Sequence, residues 1–224
     1  MDAVVIKQIN LLESPAQPTP GAVRQWLSQH LREHGIDTRE WGSGPYKGFE
    51  HLLNEILSGE TQLGVVDEKV HRICSVLRID VRYRAGENPE LQLFEAEQIF
   101  TDGRRRERPT PYAVCEKLKQ NEDLDEAVSR AVQEELQIEG AVNSSYLLKE
   151  VFVEHPLDFP GLPSLLTAID YQVHLTTQQF SAQGYEEKQA DKTTYFRWRP
   201  PSRTVSQTAS PDLRPSELRG ESEV

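Results

Sequence analysis

The chain has 224 residues, 37% of them hydrophobic and 27% charged, with a formal charge of -11 and a pI near 5.1, which suits one sizeable domain with an appendage, or two small ones. The acidic balance repels a phosphate backbone, so nucleic acid is not an expected partner, while a small anion held through a metal is compatible with it. Only Cys74 and Cys115 occur, both in apolar runs, no run reaches membrane-spanning length and the start lacks a basic-then-apolar secretory pattern, so a cytoplasmic chain without disulfides or membrane contact is expected.

After a strand-like start, AVVIKQINLL, the segment SPAQPTPG reads as a loop in which Thr19 and Pro20 make an N-cap and first-turn pair. Val23, Trp26, Leu27, His30 and Leu31 recur at three and four residues, predicting a helix with one apolar stripe that stops at Gly35. The glycine-rich WGSGPYKG turns the chain, and Phe49, Leu52, Leu53, Ile56 and Leu57 form a second stripe ending at Gly59. A helical pair over about 19–59 is therefore expected.

From His71 the period becomes strand-like. HRICSVLRIDVRYR and LQLFEAEQIF are rich in β-branched and aromatic residues and are parted by the turn AGENPE, which predicts two antiparallel strands. Asp102-Gly103 and RRRERP mark a tight turn or short loop before the apolar YAVCEKLK. A helix follows over Asn121 to Gly140, and SYLLKEVFVE, SLLTAIDYQVHLT and TTYFRWR supply three more strands, the first two parted by HPLDFPGLP. From Pro200 to Val224 the chain is rich in Pro and Ser and has no aromatic residue, so a disordered tail is expected.

The helix NEDLDEAVSRAVQEELQIEG carries the chemistry. Asp123 or Asn121 can cap it, and Leu124, Ala127, Val128, Ala131, Val132 and Leu136 fill one face. Along the other, Glu122, Glu126, Arg130 and Glu134 lie at four-residue steps, so Arg130 can reach Glu126 on one side and Glu134 on the other. Glu135 sits about 100° around from Glu134, near the negative end of the helix dipole. One reading is a solvated helix laced by ion pairs, each contributing about 0.3–0.5 kcal/mol. The other is a carboxylate cluster that holds a cation.

From Glu116 to Ile138 the sequence resembles a Nudix box: Gly, five residues, Glu, seven residues, then Arg-Glu-apolar-any-Glu-Glu-any-Gly-apolar. Glu122 stands at the first Glu, Arg130 at the Arg, Val132 at the apolar position, Glu134 and Glu135 at the paired Glu, and Ile138 at the last apolar position. Glu116 replaces the first Gly, Ala131 the Glu after Arg, and Gln137 the final Gly. The helical leader HGIDTREWGSGPYKGFEHLLNEILSGE is similar to that of Nudix-like proteins of algae and cyanobacteria.

The resemblance implies an α/β/α sandwich around a mixed sheet and hydrolysis of a nucleoside diphosphate linked to another moiety, with Mg²⁺ or Mn²⁺ as cofactor. It implies Glu134 and Glu135 as metal ligands, Glu122 as an outer or additional ligand, and Arg130 as the residue that orients the carboxylates. Ala131 removes a carboxylate that is a ligand or base in many members. Glu187, or alternatively Glu186, in GYEEKQADK is the candidate base brought from outside the box.

Other features carry less. Arg104, Arg105, Arg106 and Arg108 concentrate positive charge that could meet substrate phosphates, or form a solvated turn. His30 and His34 have metal-ligand spacing without a third ligand nearby, and WGSGPYKG lacks the ending and context of a phosphate-binding loop. Cys115 has no nucleophile context, and the tryptophans suit packing better than base stacking. HPLDFPGLP suits either a pocket wall or a rigid crossover.

The expected organisation is α/β: an N-terminal helical extension over 1–65, a Nudix-like domain over 66–199 and the tail over 200–224. The leading function is a metal-dependent pyrophosphohydrolase. Its alternative is a catalytically silent module that binds a nucleotide or a protein. A third reading makes the helical pair an interaction or dimerisation module, with a homodimer as one form, and the Nudix-like part its scaffold.

Overall fold

The computed structural model describes residues 7–8, 19–44, 46–107, 110–154 and 158–201. In chain order these form β1 (Lys7–Gln8), α1 (Pro20–Glu33), α2 (Phe49–Leu57), β2 (Thr61–Val66), β3 (Lys69–Tyr83), β4 (Leu91–Phe100), β5 (Arg105–Arg106), β6 (Val114–Lys117), α3 (Leu124–Leu136), β7 (Asn143–Glu154), β8 (Ser164–His174), β9 (Tyr185–Lys188) and β10 (Lys192–Arg199). The tail expected beyond residue 201 and the start before residue 19, apart from β1, lie outside the described residues.

Strand β3 is the spine of the sheet. It pairs antiparallel with β2, β6 and the start of β4, and parallel with β8 from Arg72↔Ser164 to Arg82↔His174. The sheet is therefore mixed, as expected. β4 leaves β3 after Leu91 and Gln92 and runs beside β10, which pairs in turn with β9.

Because side chains alternate along a strand, β3 serves two layers at once. Leu77, Ile79 and Val81 enter one buried cluster with Ala127, Val128, Ala131, Val132 and Leu136 of α3. The alternate side presents Val70 to a second cluster, which holds Val23, Leu27 and Leu31 of α1, Leu52, Leu53 and Ile56 of α2, and Phe159 and Leu162. Helices thus cover both faces, giving an α/β/α sandwich. Each fully buried Leu contributes about 1.5–3 kcal/mol to this packing.

The helical pair forms where its pattern predicts. The Thr19 hydroxyl accepts from the Ala22 amide, Pro20 opens α1, and Gly35 and Gly59 take positive φ of 69° and 79° just past the two helices. The apolar stripes are turned into the chain's own second core. The division between residues 65 and 66 falls inside β2, a strand that ties the pair to the sheet.

A buried charge cluster joins the layers. Glu55 of α2 is 8% exposed and forms ion pairs with Lys47, Arg72 and Lys117, while the Thr61 hydroxyl donates to it at 3.0 Å. The segment around Phe159 belongs to the same contact: Arg72 lies 4.6 Å from its ring centre and Trp41 donates to the Pro160 carbonyl at 3.0 Å. The described part of HPLDFPGLP is thus core packing between helices and sheet. Among the described residues no helix is long and apolar enough to cross a membrane.

Candidate metal centre

Helix α3 is held in place at both ends. The Asp123 carboxylate caps it, accepting from the amides of Asp125 and Glu126 at 3.0 and 3.1 Å. At the other end Gln137 takes the left-handed conformation, φ 57° and ψ 30°, which the corresponding box glycine would adopt without strain. Gln137 also donates through Nε2 to the Glu186 carbonyl at 3.3 Å, drawing β9 against the helix.

Arg130 organises the outer face differently from the expected ladder. Its Nε and Nη2 donate to the two oxygens of Glu122 at 2.8 and 3.2 Å, and its Nη1 donates to Glu134 at 2.9 Å. Glu122 replaces the expected Glu126 because it precedes the N-cap: Asn121 takes φ 60° and folds the chain back, so Glu122 also accepts from the Lys119 amide at 2.9 Å. The Arg130 hydrogen bond, working against desolvation, holds the Glu122 carboxyl below its ordinary range, and the two acids hold the Arg130 guanidinium above its own.

Glu135 points elsewhere. Its half-buried carboxyl meets that of Glu187 on β9, within hydrogen-bonding reach. Burial, followed by repulsion from Glu187 and Glu116, pushes Glu135 up to about 8, with Lys192 offsetting part of the rise. Glu116 is itself raised, by burial first, and is near enough to feel Arg130, Glu134 and Glu60. A cation at this position would favour the ionised form of Glu135, opposing the rise that burial causes.

These residues suit a divalent cation. The donors are hard carboxylate oxygens and they repel each other without a counter-charge, the chemistry that Mg²⁺ and Mn²⁺ satisfy. Among the described residues no three His, Cys, Asp or Glu side chains are grouped closely enough to hold a metal together. A cation at the pair would complete its shell largely with water, as Mg²⁺ ordinarily does.

The remaining predicted residues are spread more widely. Glu186 is exposed on the side of β9 opposite to Glu187. Arg104 pairs with Asp102 at 2.7 Å and Arg105 with Glu97 at 3.3 Å, both in solvent; Arg106 is exposed on β5, in register with Gln98. His30 stacks between Trp26 and His34, with ring centres 5.1 and 4.2 Å away, an arrangement of packing. Ala131 is fully buried, so the box position that lacks a carboxylate faces the core.

Three features of the site escape a sequence reading. Glu116, at the position of the first box glycine, stands near enough to repel Glu135. Within GYEEKQADK, YEEK is strand β9 of a β9–β10 hairpin, with Glu187 opposite Thr194. The hairpin depends on Gly184, at φ 82°, where an added Cβ would stand 1.9 Å from the Phe196 carbonyl oxygen. That glycine, immediately before YEE, is the signal that marks the turn into β9.

Two clefts flank α3. One of about 720 Å³ lies at its C-terminal end beside Gln137, Gln179, Ser181, Tyr185 and Lys188. The other, of about 290 Å³, lies at its N-terminal end and is lined by Glu60, Gln62, Ser75, Gln120 and Glu122.

No protein-family model matches the chain, and no curated protein does. Among solved structures it is similar to a protein assigned as a NUDIX hydrolase from Listeria monocytogenes, at 15% identity and TM-score 0.36, covering 55% of this chain and 75% of that one. It is also similar to the Ap4A hydrolase of C. elegans, at 10% identity and TM-score 0.33, covering 55% and 77%. A third likeness is to the C-terminal domain of mouse MUTYH, solved in complex with human PCNA, at 13% identity and TM-score 0.29, covering 56% and 72%. These likenesses are loose, and the functional reading rests on the residues of the chain itself.

Proposed function

We propose that the protein is a divalent-metal-dependent hydrolase of the Nudix type, cleaving the pyrophosphate bond of a nucleoside diphosphate derivative. The observation that carries this reading is the meeting of Glu135, from the box helix, with Glu187, from a strand outside the box. Glu135 and Glu187 would hold Mg²⁺ or Mn²⁺, with Glu134 at the rim. Bound there, the cation would neutralise the pyrophosphate and lower the pKa of a coordinated water.

The chain's own groups supply the rest. Glu187 takes the proton of the attacking water, in place of the carboxylate missing at Ala131. Arg130 fixes Glu122 and Glu134 by hydrogen bonds and keeps the loop before α3 closed. Arg106, with Arg104 and Arg105 beyond it, receives the substrate phosphates; their ion pairs to Asp102 and Glu97 are exposed and so exchange at little cost.

The experiment is turnover of a panel of nucleoside diphosphate derivatives with Mg²⁺ or Mn²⁺, alongside Glu135→Gln and Glu187→Gln. Hydrolysis abolished by both substitutions supports the reading, and hydrolysis indifferent to both ends it. Burial of Ala131 favours a second reading, a silent module that binds a nucleotide or a protein. Metal-dependent nucleotide binding without turnover of any compound would support that one.

A further inference from the structure

Beside the acidic pair lies a feature the box does not account for. Thr194 of β10 stands directly opposite Glu187 of β9, and Gln98 of β4 stands directly opposite Thr194. Opposed residues on neighbouring strands share a face, with Cβ atoms about 4.5–5.5 Å apart. Thr194 has the same parity as Phe196, whose side chain enters the core beneath α3, so the row Glu187, Thr194, Gln98 runs along the sheet face that the helix covers.

Thr194 and Gln98 are each 2% exposed, and neither Thr194 Oγ1 nor Gln98 Oε1 has a hydrogen-bond partner. An unmet polar atom in the interior is costly, and two side by side ask for a ligand or an ordered water. A cation held by the adjacent Glu135 and Glu187 would bring bound waters, which are strong donors.

We infer that Thr194 and Gln98 form the polar floor of the cation site, accepting hydrogen bonds from waters on a divalent metal held by Glu135 and Glu187. They are positioning residues, acting on the metal through its water. The inference rests on the metal-dependent reading above. It explains how a site with few carboxylates would hold its ion: with fewer protein ligands the ion retains more water, and that water needs fixed acceptors.

The test is Mn²⁺ binding to the full chain, measured by calorimetry with the metal alone, for the wild type and Thr194→Val, Thr194→Ser and Gln98→Met. Folding of each variant is followed by circular dichroism and thermal melting. The expected result is metal affinity lower by roughly tenfold or more in Thr194→Val and Gln98→Met, as for other losses of outer-sphere partners, with Thr194→Ser near the wild type. Unchanged affinity in Thr194→Val and Gln98→Met, accompanied by a higher melting temperature from removing unmet polar atoms, overturns the inference while leaving the metal site standing. Absence of Mn²⁺ binding in the wild type overturns the site and the inference together. Should Thr194→Val fail to fold, Gln98→Met decides by the same criterion.

Discussion

Arg130 grips Glu122 through two hydrogen bonds, of 2.8 and 3.2 Å, and so ties the loop before α3 to the middle of the helix. Both side chains are largely buried, at 23% and 14% exposure, so the contact is worth more than an ordinary surface ion pair. Glu122→Ala should destabilise the protein by about 1–2 kcal/mol in urea denaturation. Arg130→Lys should lose most of the same amount, since an ammonium cannot reproduce the forked contact. Additive effects in the double variant would show that the two residues act independently.

Divalent metal should stabilise the fold. At a concentration about 100 times its Kd, Mn²⁺ would add about 2.7 kcal/mol, read as a rise in melting temperature. Glu135→Gln and Glu187→Gln should each abolish most of that rise. Metal-free Glu135→Gln should also melt higher than the metal-free wild type at neutral pH, because it removes the cost of keeping a buried acid protonated above its ordinary range. A metal-induced shift of equal size in all three proteins would place the cation elsewhere.

The buried Glu55 should make the fold acid-sensitive. Burial alone would raise its carboxyl, but Lys117, Arg72 and Lys47 together hold it down to about 2, against 4.5 ordinarily. A depressed folded pKa contributes stability that is fully present above about 4.5 and is lost as pH falls toward 2. Glu55→Gln should cost about 3–5 kcal/mol at neutral pH by leaving Arg72 and Lys117 without their acid, while Lys47 keeps Asp158, and should flatten the acid limb of the stability profile. An acid limb unchanged by the substitution would exclude Glu55 as its source.

Gly184 should tolerate no side chain. Gly184→Ala combines φ 82° with a Cβ placed 1.9 Å from the Phe196 carbonyl oxygen. The backbone conformation alone costs about 1–2 kcal/mol, and the clash forces β9 away from β10. Metal affinity should fall along with stability, since Glu187 moves with β9, whereas Gly21→Ala, with open space around its Cβ, should leave metal affinity unchanged.

Much of the local structure was legible in advance. The stripes of α1 and α2, their glycine stops and the N-cap at Asp123 follow from residues within a few positions of each other. The face Ala127, Val128, Ala131, Val132 and Leu136 follows from period alone and is buried. Strand β2, TQLGVV, escapes a sequence reading because a glycine interrupts its apolar residues and it begins only two residues after Gly59. Strand β9 was missed because YEEK carries no apolar alternation: Glu186 and Glu187 look alike in sequence, and only pairing with β10 sends them to opposite faces.

The amphipathic helix, its N-cap and the spacing of Glu122, Arg130, Glu134 and Glu135 follow from the chain alone, because helical geometry relates residues that lie within a few turns. Tertiary structure alone decided which acids meet. Glu135 faces Glu187, Arg130 takes Glu122 in place of Glu126, and Thr194 and Gln98 form a row beside the pair. Each of these outcomes depends on a loop's path or a strand's register, and a shift of one residue in register would send every side chain of that strand to the other face.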